Sequence, residues 1–148
     1  MGLAVFDSNI VIDVLAGVDQ ALIEMAYFDG IAISAVAWVE IMSKPIAEAS
    51  CGRIPYESVQ TIKDLLAEFT IIHTSDAIMA EAARIRSASF INPPRIRLPD
   101  VLIQATANVT GRVLVTRNKK DFRGPNVRIP YELQDDHIFN IAAPPIGI

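Results

Sequence analysis

The sequence predicts an α/β fold, a single doubly wound domain in which a short, mostly parallel sheet of about five strands is flanked by helices. Short apolar runs that suit buried strands alternate along the chain with segments whose apolar residues recur at helical spacing. The 148 residues are enough for one core, since a domain of this length buries roughly 68–70% of its unfolded surface. A hydrophobic content of 51% and a mean hydropathy of +0.34 fit a parallel sheet covered on both faces. We expect residues 1–148 to form this one domain, with 131–148 as a C-terminal tail whose role the sequence does not reveal.

The first strand and the first two helices follow from a short apolar run and the residues that stop it. Leu3–Phe6 suits a buried strand, and Asp7-Ser8-Asn9 directly after it is a run of good helix caps. Apolar residues at helical spacing follow, and Gly17 is expected to end that helix. Asp19 is then expected to cap a second helix.

The middle of the chain predicts two further strands, each next to a helix. Ile31-Ala32-Ile33 suits the second strand, and Ser34 suits the cap of the helix after it. Pro45 is expected to kink or end that helix. Pro55 suits the first turn of the next helix, and Thr70-Ile71-Ile72 suits the third strand.

The last third predicts two helices and two strands. Asp76–Ser89 is alanine-rich with apolar residues at helical spacing, which predicts a helix. Asn92-Pro93-Pro94 after it interrupts the helical pattern. A helix from Pro99 to Gly111 has proline at its start and glycine at its end, as helices prefer. Val113-Leu114-Val115 suits the fourth strand, and Val127-Arg128-Ile129 is a candidate fifth.

Four acidic residues lie at the edges of these apolar segments. Asp7 and Asp121 follow strands, at the sheet edge where ligands gather in open α/β folds. Glu40 lies about one and a half turns into its helix, and Asp100 lies in the first turn of another, where an anion is favoured. Magnesium prefers oxygen ligands and retains waters, so a few carboxylates suffice. The four residues therefore suggest a divalent-metal site.

Charge does not by itself favour a polyanionic partner. Thirteen Lys and Arg against 17 Asp and Glu give a formal net charge of -4, so a nucleic-acid function would depend on metal ions and a local basic cluster. Basic residues do gather near the last two acids in sequence: Arg95, Arg97, Arg112, Arg117, Lys119, Lys120, Arg123 and Arg128. The single cysteine, Cys51, cannot form an internal disulfide, which weakly favours a cytoplasmic location.

Four blocks carrying these acids resemble PIN-domain nucleases, and more narrowly the VapC-type toxins of toxin–antitoxin pairs. The blocks are Asp7–Asp13, the Glu40 helix, Leu98–Ala107 and Val115–Phe122. They occur in the family's order and at family-like spacing. Ser8 stands where threonine is common in the family, which keeps a hydroxyl, and the segment before the third acid is unusual.

The resemblance implies a magnesium- or manganese-dependent endoribonuclease. Its catalytic acids would be Asp7, Glu40, Asp100 and Asp121, of which Asp7, Asp100 and Asp121 would be the metal ligands. Ser8, Thr116 and Asn118 match polar positions that would orient the carboxylates or phosphate oxygens. The implied partners are an RNA substrate, a cognate antitoxin protein and a second copy of the chain in a homodimer, with no membrane.

Structural explanations of the same residues remain open at this point. Asp7 and Asp100 could be helix caps alone, and Glu40 could form a salt bridge with Lys44 four residues on. Two other functions also remain. One is a catalytically silent PIN-like module that binds RNA or protein. The other is a phospho-acceptor signalling domain, which would require a further acid beside Asp7 and a lysine after the last strand.

Overall fold

The computed structural model describes residues 2–146 and has a five-stranded parallel sheet flanked by six helices, which confirms the predicted fold class. The elements are β1 (Leu3–Phe6), α1 (Ser8–Leu15), α2 (Asp19–Ala26), β2 (Gly30–Ser34), α3 (Ala35–Ser50), α4 (Tyr56–Leu66), β3 (Thr70–Ile72), α5 (Asp76–Ile91), α6 (Leu98–Val109), β4 (Val113–Val115), β5 (Val127–Arg128), β6 (Glu132–Gln134) and β7 (His137–Phe139). Within residues 2–146, no helix is both long and apolar enough to cross a membrane.

The strand order places the first and fourth strands side by side at the centre of the sheet. The order is β3-β2-β1-β4-β5, so β2 and β3 lie on one side of β1, and β4 and β5 lie on the other. Phe6 pairs with Val115, and the backbone N–H of Asp7 donates to the carbonyl of Val115 at 2.9 Å. The residues that follow β1 and β4 are thereby held next to each other, where the strand order reverses.

The core lies between this sheet and its helices. Phe6 is fully buried and contacts Phe28 and Phe69 edge to face, with ring centroids 5.9 and 5.8 Å apart. A smaller apolar cluster, around Ile78 and Val101, packs α5 against α6. The second cluster fixes α6, and with it the third predicted acid, against α5.

Three details of the helices differ from the sequence prediction. Of the two outcomes expected for Pro45, a kink or an end of the helix, the second is wrong, because α3 continues to Ser50. Pro45 removes one backbone donor, but α3 packs against α1, α4 and α6, and this packing outweighs the lost hydrogen bond. Asp19 is the first residue of α2, whose N-cap is Val18, and Pro55 is the N-cap of α4 instead of a first-turn residue.

The segment from residue 131 onward begins with an unpredicted hairpin. β6 and β7 pair antiparallel around Asp135 and Asp136, whose φ angles of 49° and 63° suit a tight hairpin turn. Tyr131, just before the hairpin, is fully buried, and its hydroxyl donates to Oδ2 of Asp13 at 2.6 Å. Of the predicted tail, residues 147–148 lie outside the described part of the chain.

Candidate active site

Asp7 is the most constrained of the four predicted acids. It caps α1 at the end of β1, where its Oδ1 accepts from the backbone N–H of Ser8 at 2.8 Å. Its Oδ2 accepts from Oγ1 of Thr116 at 2.7 Å and from Nδ2 of Asn9 at 3.1 Å. Thr116 is fully buried beside it. These bonds fix both carboxylate oxygens of Asp7.

Ser8 connects Asp7 with the second acid, Glu40. Its Oγ lies 3.2 Å from Oε1 of Glu40 and 3.4 Å from Oδ1 of Asp7. Glu40 is therefore brought to the carboxyl edge of the sheet from its position in α3. The alternative salt bridge with Lys44 is wrong, since Lys44 pairs with Glu48, 3.8 Å away.

The third acid, Asp100, lies in the first turn of α6 and contacts an arginine. It is buried, and its two oxygens accept from Nε and Nη2 of Arg97 at 3.3 and 3.4 Å. Arg97 is the N-cap of α6 but makes no side-chain cap bond there. The guanidinium is mostly exposed, so a positive group lies at the open side of the acidic residues.

The fourth acid, Asp121, lies in a turn after β4 that asparagine closes. Nδ2 of Asn118 donates to Oδ2 of Asp121 at 3.1 Å, and the backbone N–H of Asp121 donates to Oδ1 of Asn118 at 3.2 Å. The backbone N–H of Asn118 in turn donates to Oγ1 of Thr116 at 3.0 Å. Asn118 and Thr116 thus connect Asp121 with Asp7.

The four carboxylates influence one another electrostatically. Burial raises the pKa of Asp7 to about 6, although the bonds from Thr116 and Ser8 oppose this, and the nearby charges of Asp100 and Glu40 add to it. Burial also raises the pKa of Glu40 and of Asp100. For Asp100 the contact with Arg97 opposes the rise, whereas the charge and hydrogen bonding of Asp121 add to it. The structure therefore brings all four predicted acids into one region of mutual repulsion.

The donor set fits a hard divalent cation in kind, since it consists of carboxylate oxygens that repel one another without a cation. Within residues 2–146, however, no three His, Cys, Asp or Glu side chains are close enough together to form a complete ligand set. Magnesium usually keeps several waters and is held by one or two protein carboxylates. The arrangement is compatible with that hydrated mode of binding.

The raised pKa of Asp7 predicts a pH-dependent cost to stability. The folded-state value of about 6 exceeds the reference value of 3.8, so the folded protein binds this proton more tightly than the unfolded chain does. The stability that the proton provides is complete below about pH 4 and is lost as the pH rises through about 6, a difference of about 3 kcal/mol. In EDTA, the unfolding free energy of the Asp7→Asn variant minus that of the parent is expected to be about 2–3 kcal/mol larger at pH 8 than at pH 4.

Urea denaturation of both proteins at the two pH values measures this difference. Parallel pH profiles of the parent and the variant would contradict the assignment of this cost to Asp7. Glu40 and Asp100 remain in both proteins, so the comparison isolates one carboxyl.

Several of the predicted basic residues make structural ion pairs. Arg117 donates to both oxygens of buried Asp13, with Nε 2.6 Å from Oδ2. Arg128 pairs with fully buried Glu24, and Lys119 pairs with Glu132. Lys120 and Arg123 instead line a cleft beside Asp121. Asn9, which bonds to Asp7, was not predicted as a site residue, although its amide side chain and its position two residues after Asp7 were a usable signal.

Residues 4–125 match the PIN-domain family model, and the chain belongs to this family. It is similar to a structure described as a toxin-antitoxin complex from Klebsiella pneumoniae, at 32% identity over 88% of this chain and 99% of that one, with a TM-score of 0.72. The predicted resemblance to PIN-domain proteins of the VapC type is thereby confirmed. No curated protein matches the chain significantly.

Two more distant structures share the fold. VapBC2 from Rickettsia felis, bound to a DNA fragment from its promoter, is 24% identical over 84% of this chain and 95% of that one, with a TM-score of 0.69. DNA-bound VapBC from Salmonella typhimurium is 18% identical over 86% and 96% of the two chains, with a TM-score of 0.71. At these identities the likeness concerns the fold alone.

Proposed function

We propose that the protein is a metal-dependent endoribonuclease that hydrolyses RNA phosphodiester bonds and acts as the toxin of a toxin–antitoxin pair. The observation that carries this proposal is the coupling of four carboxylates at the carboxyl edge of the sheet, linked by the hydroxyls of Ser8 and Thr116. Membership of the PIN-domain family and the likeness to a toxin-antitoxin complex support it.

The side chains have separate tasks in this proposal. Asp7, Asp100 and Asp121 would hold a hydrated Mg²⁺ or Mn²⁺, with one or two of them as direct ligands and the rest acting through bound waters. When bound, the ion would polarise the scissile phosphate and activate water for in-line attack. Thr116 and Asn118 fix the orientation of Asp7 and Asp121 through the bonds described above. Glu40, held by Ser8, orients the attacking water.

Cleavage of a structured RNA by the purified protein tests this function. We expect cleavage in Mg²⁺ or Mn²⁺ and none in EDTA, because the carboxylates repel the phosphate unless a cation lies between them. Equal cleavage in EDTA would contradict a metal-dependent reaction. RNA binding without cleavage in any divalent ion would favour the catalytically silent module.

The antitoxin partner is proposed from the neighbouring structure and from an apolar surface next to the acids. Helix α1, which Asp7 caps, exposes Ile12 and Leu15, and α2 exposes Leu22 and Ile23. A partner helix or strand that covers this surface would place a basic side chain among the carboxylates. Such a contact would neutralise the toxin by occupying the metal site.

We also propose a two-fold homodimer, formed through the outer side of α5 and α6. Met79 and Leu98 are each about half exposed there, on an apolar cavity of about 430 Å³. We expect light scattering at high micromolar concentration to give the mass of a dimer, and the Met79→Glu variant to give that of a monomer because a charge would be buried in the interface. Tyr56→Glu, at a more exposed apolar position on α4, serves as the control and should leave the mass unchanged. A monomeric parent protein would contradict the proposal.

A further inference from the structure

A chain of amide groups connects α5 with α6 beside the acidic residues. Oε2 of Glu81 accepts from Nδ2 of Asn108 at 2.8 Å, and Oδ1 of Asn108 accepts from Nε2 of Gln104 at 2.9 Å. Nδ2 of Asn126 donates to the same Asn108 oxygen at 2.9 Å. We call Glu81, Asn108 and Gln104 the amide relay.

The amide relay determines the orientation of the Gln104 side-chain amide, and so which of its two polar atoms does not bond to Asn108. An ionised carboxylate only accepts hydrogen bonds, and Glu81 is kept ionised by the two bonds it receives from Arg84, at 2.6 and 3.0 Å. Asn108 must therefore turn its NH₂ group toward Glu81 and its oxygen toward Gln104. Gln104 must in turn use its NH₂ group for Asn108, so its carbonyl oxygen cannot exchange places with it.

The carbonyl oxygen of Gln104 has no hydrogen-bond partner. Gln104 is only 5% exposed, and its Oε1 is one of two buried side-chain atoms without a partner in the described part of the chain. A buried acceptor without a donor costs free energy, so such an atom in a native structure calls for an explanation. A ligand that supplies the donor is one such explanation.

Gln104 lines a cleft that opens beside the proposed catalytic acids. The inner part, of about 120 Å³, is lined by Gln104, Asp100 and Asp121, and the outer part, of about 240 Å³, by Lys120. Both parts share five lining residues: Arg84, Ile85, Ile96, Asp121 and Arg123. We call this space the base cleft.

The base cleft combines features that suit one nucleotide. Ile85 and Ile96 provide apolar surface for the faces of a nucleobase, and Arg84, Lys120 and Arg123 provide positive charge for its phosphates. Arg84 uses two N–H groups for Glu81 and retains others for a phosphate. Asp100 lines the inner part and Asp121 lines both parts, so a base in this cleft would belong to a nucleotide next to the phosphodiester bond that is cleaved at the acids.

We propose that the base cleft binds the nucleotide adjacent to the scissile phosphate and that Gln104 reads its base through an exocyclic amino group. This inference rests on the proposed ribonuclease function and extends it to base preference. A fixed acceptor favours adenine, cytosine and guanine, which carry amino donors. It disfavours uracil, which has no amino group and whose one ring donor, N3–H, is flanked by two carbonyl oxygens that would repel the Gln104 oxygen.

Binding of nucleoside 5′-monophosphates in Mg²⁺ tests this proposal without cleavage, because these nucleotides contain no phosphodiester bond. In NMR titrations, we expect AMP, CMP or GMP to bind at least about fivefold more tightly than UMP, the factor that one neutral hydrogen bond supplies. Gln104→Met, which keeps the length and helix preference of the side chain, should bring the best amino-bearing nucleotide to within about twofold of UMP. Arg123→Gln should weaken all four nucleotides by a similar factor, because it removes a phosphate contact only.

Arg53→Gln is the matched control for charge, since Arg53 is exposed in the loop between α3 and α4 and does not line the base cleft. It should leave all four affinities unchanged. No binding of any nucleotide, an equal affinity for UMP, or an unchanged preference in Gln104→Met would each overturn the proposal.

The outcomes separate this proposal from the proposed function. RNA cleavage with the same base preference in the parent and in Gln104→Met would overturn the proposal that Gln104 recognises the base. It would leave the ribonuclease proposal intact. The opposite result is a parent protein that binds nucleotides selectively but cleaves no RNA in any divalent ion. That result would support selective binding in the base cleft and contradict the proposed ribonuclease function.

Discussion

The Asp100→Asn variant is expected to cleave RNA at least about 100-fold more slowly than the parent protein. Residues that only orient a metal ligand typically change metal affinity or activity by 10- to 100-fold, and the proposal makes Asp100 a ligand itself. The amide of asparagine is a weaker ligand for magnesium and carries no charge. It also releases Arg97 from its bonds of 3.3 and 3.4 Å. Initial rates on a structured RNA in Mg²⁺ and in Mn²⁺ measure the loss.

Asp64→Asn is the matched control for this experiment. Asp64 is an exposed carboxylate on α4 whose only described partner is Gln60, so its variant should cleave at the parental rate. Circular dichroism of both variants establishes that they fold. Undiminished cleavage by a folded Asp100→Asn variant would remove Asp100 from the proposed site.

The Arg128→Met variant is expected to lower the free energy of unfolding by about 3–5 kcal/mol. Arg128 on β5 pairs through two nitrogens with Glu24 on α2, and the Glu24 side chain has no exposed surface. Methionine keeps most of the volume but leaves a carboxylate buried without its partner, which is the costly way to break such a pair. Urea denaturation gives the difference in unfolding free energy.

Lys44→Met provides the comparison at an exposed ion pair. Lys44 is 84% exposed and lies 3.8 Å from Glu48, so its loss should cost at most about 0.5 kcal/mol. Similar losses in the two variants would show that burial of Glu24 is not what makes its pair important.

The sequence predicted the features that depend on neighbouring residues. Leu3–Phe6 and Thr70–Ile72 were predicted with their observed bounds, since a short apolar run next to capping residues determines a strand locally. The strand ends also predicted where Asp7 and Asp121 lie. Their connection through Thr116 and Asn118 follows from the adjacency of β1 and β4, which the alternation of strands and helices implies only in outline.

The features that the sequence did not reveal depend on contacts between distant residues. Arg117 and Arg128 looked like parts of a surface basic cluster, but each pairs with a buried acid 104 residues away. No role for Gln104 was predicted, and its unpartnered oxygen follows only from the bonds that Asn108 makes to Gln104 and to Glu81 on α5. Burial and partner choice of this kind are set by packing and have no local signature.

The bond from Tyr131 to Asp13 has a consequence for how the molecule opens. Tyr131 lies beyond the family-matched residues, yet it is fully buried. Its hydroxyl donates to Oδ2 of Asp13, the same oxygen that accepts from Nε of Arg117. Tyr131 therefore cannot leave its buried position without exposing the Asp13 carboxylate on α1 to water and loosening Arg117, the residue next to Thr116. We expect the rates of amide hydrogen exchange around Tyr131 and in α1 to rise and fall together, as in one cooperative unit.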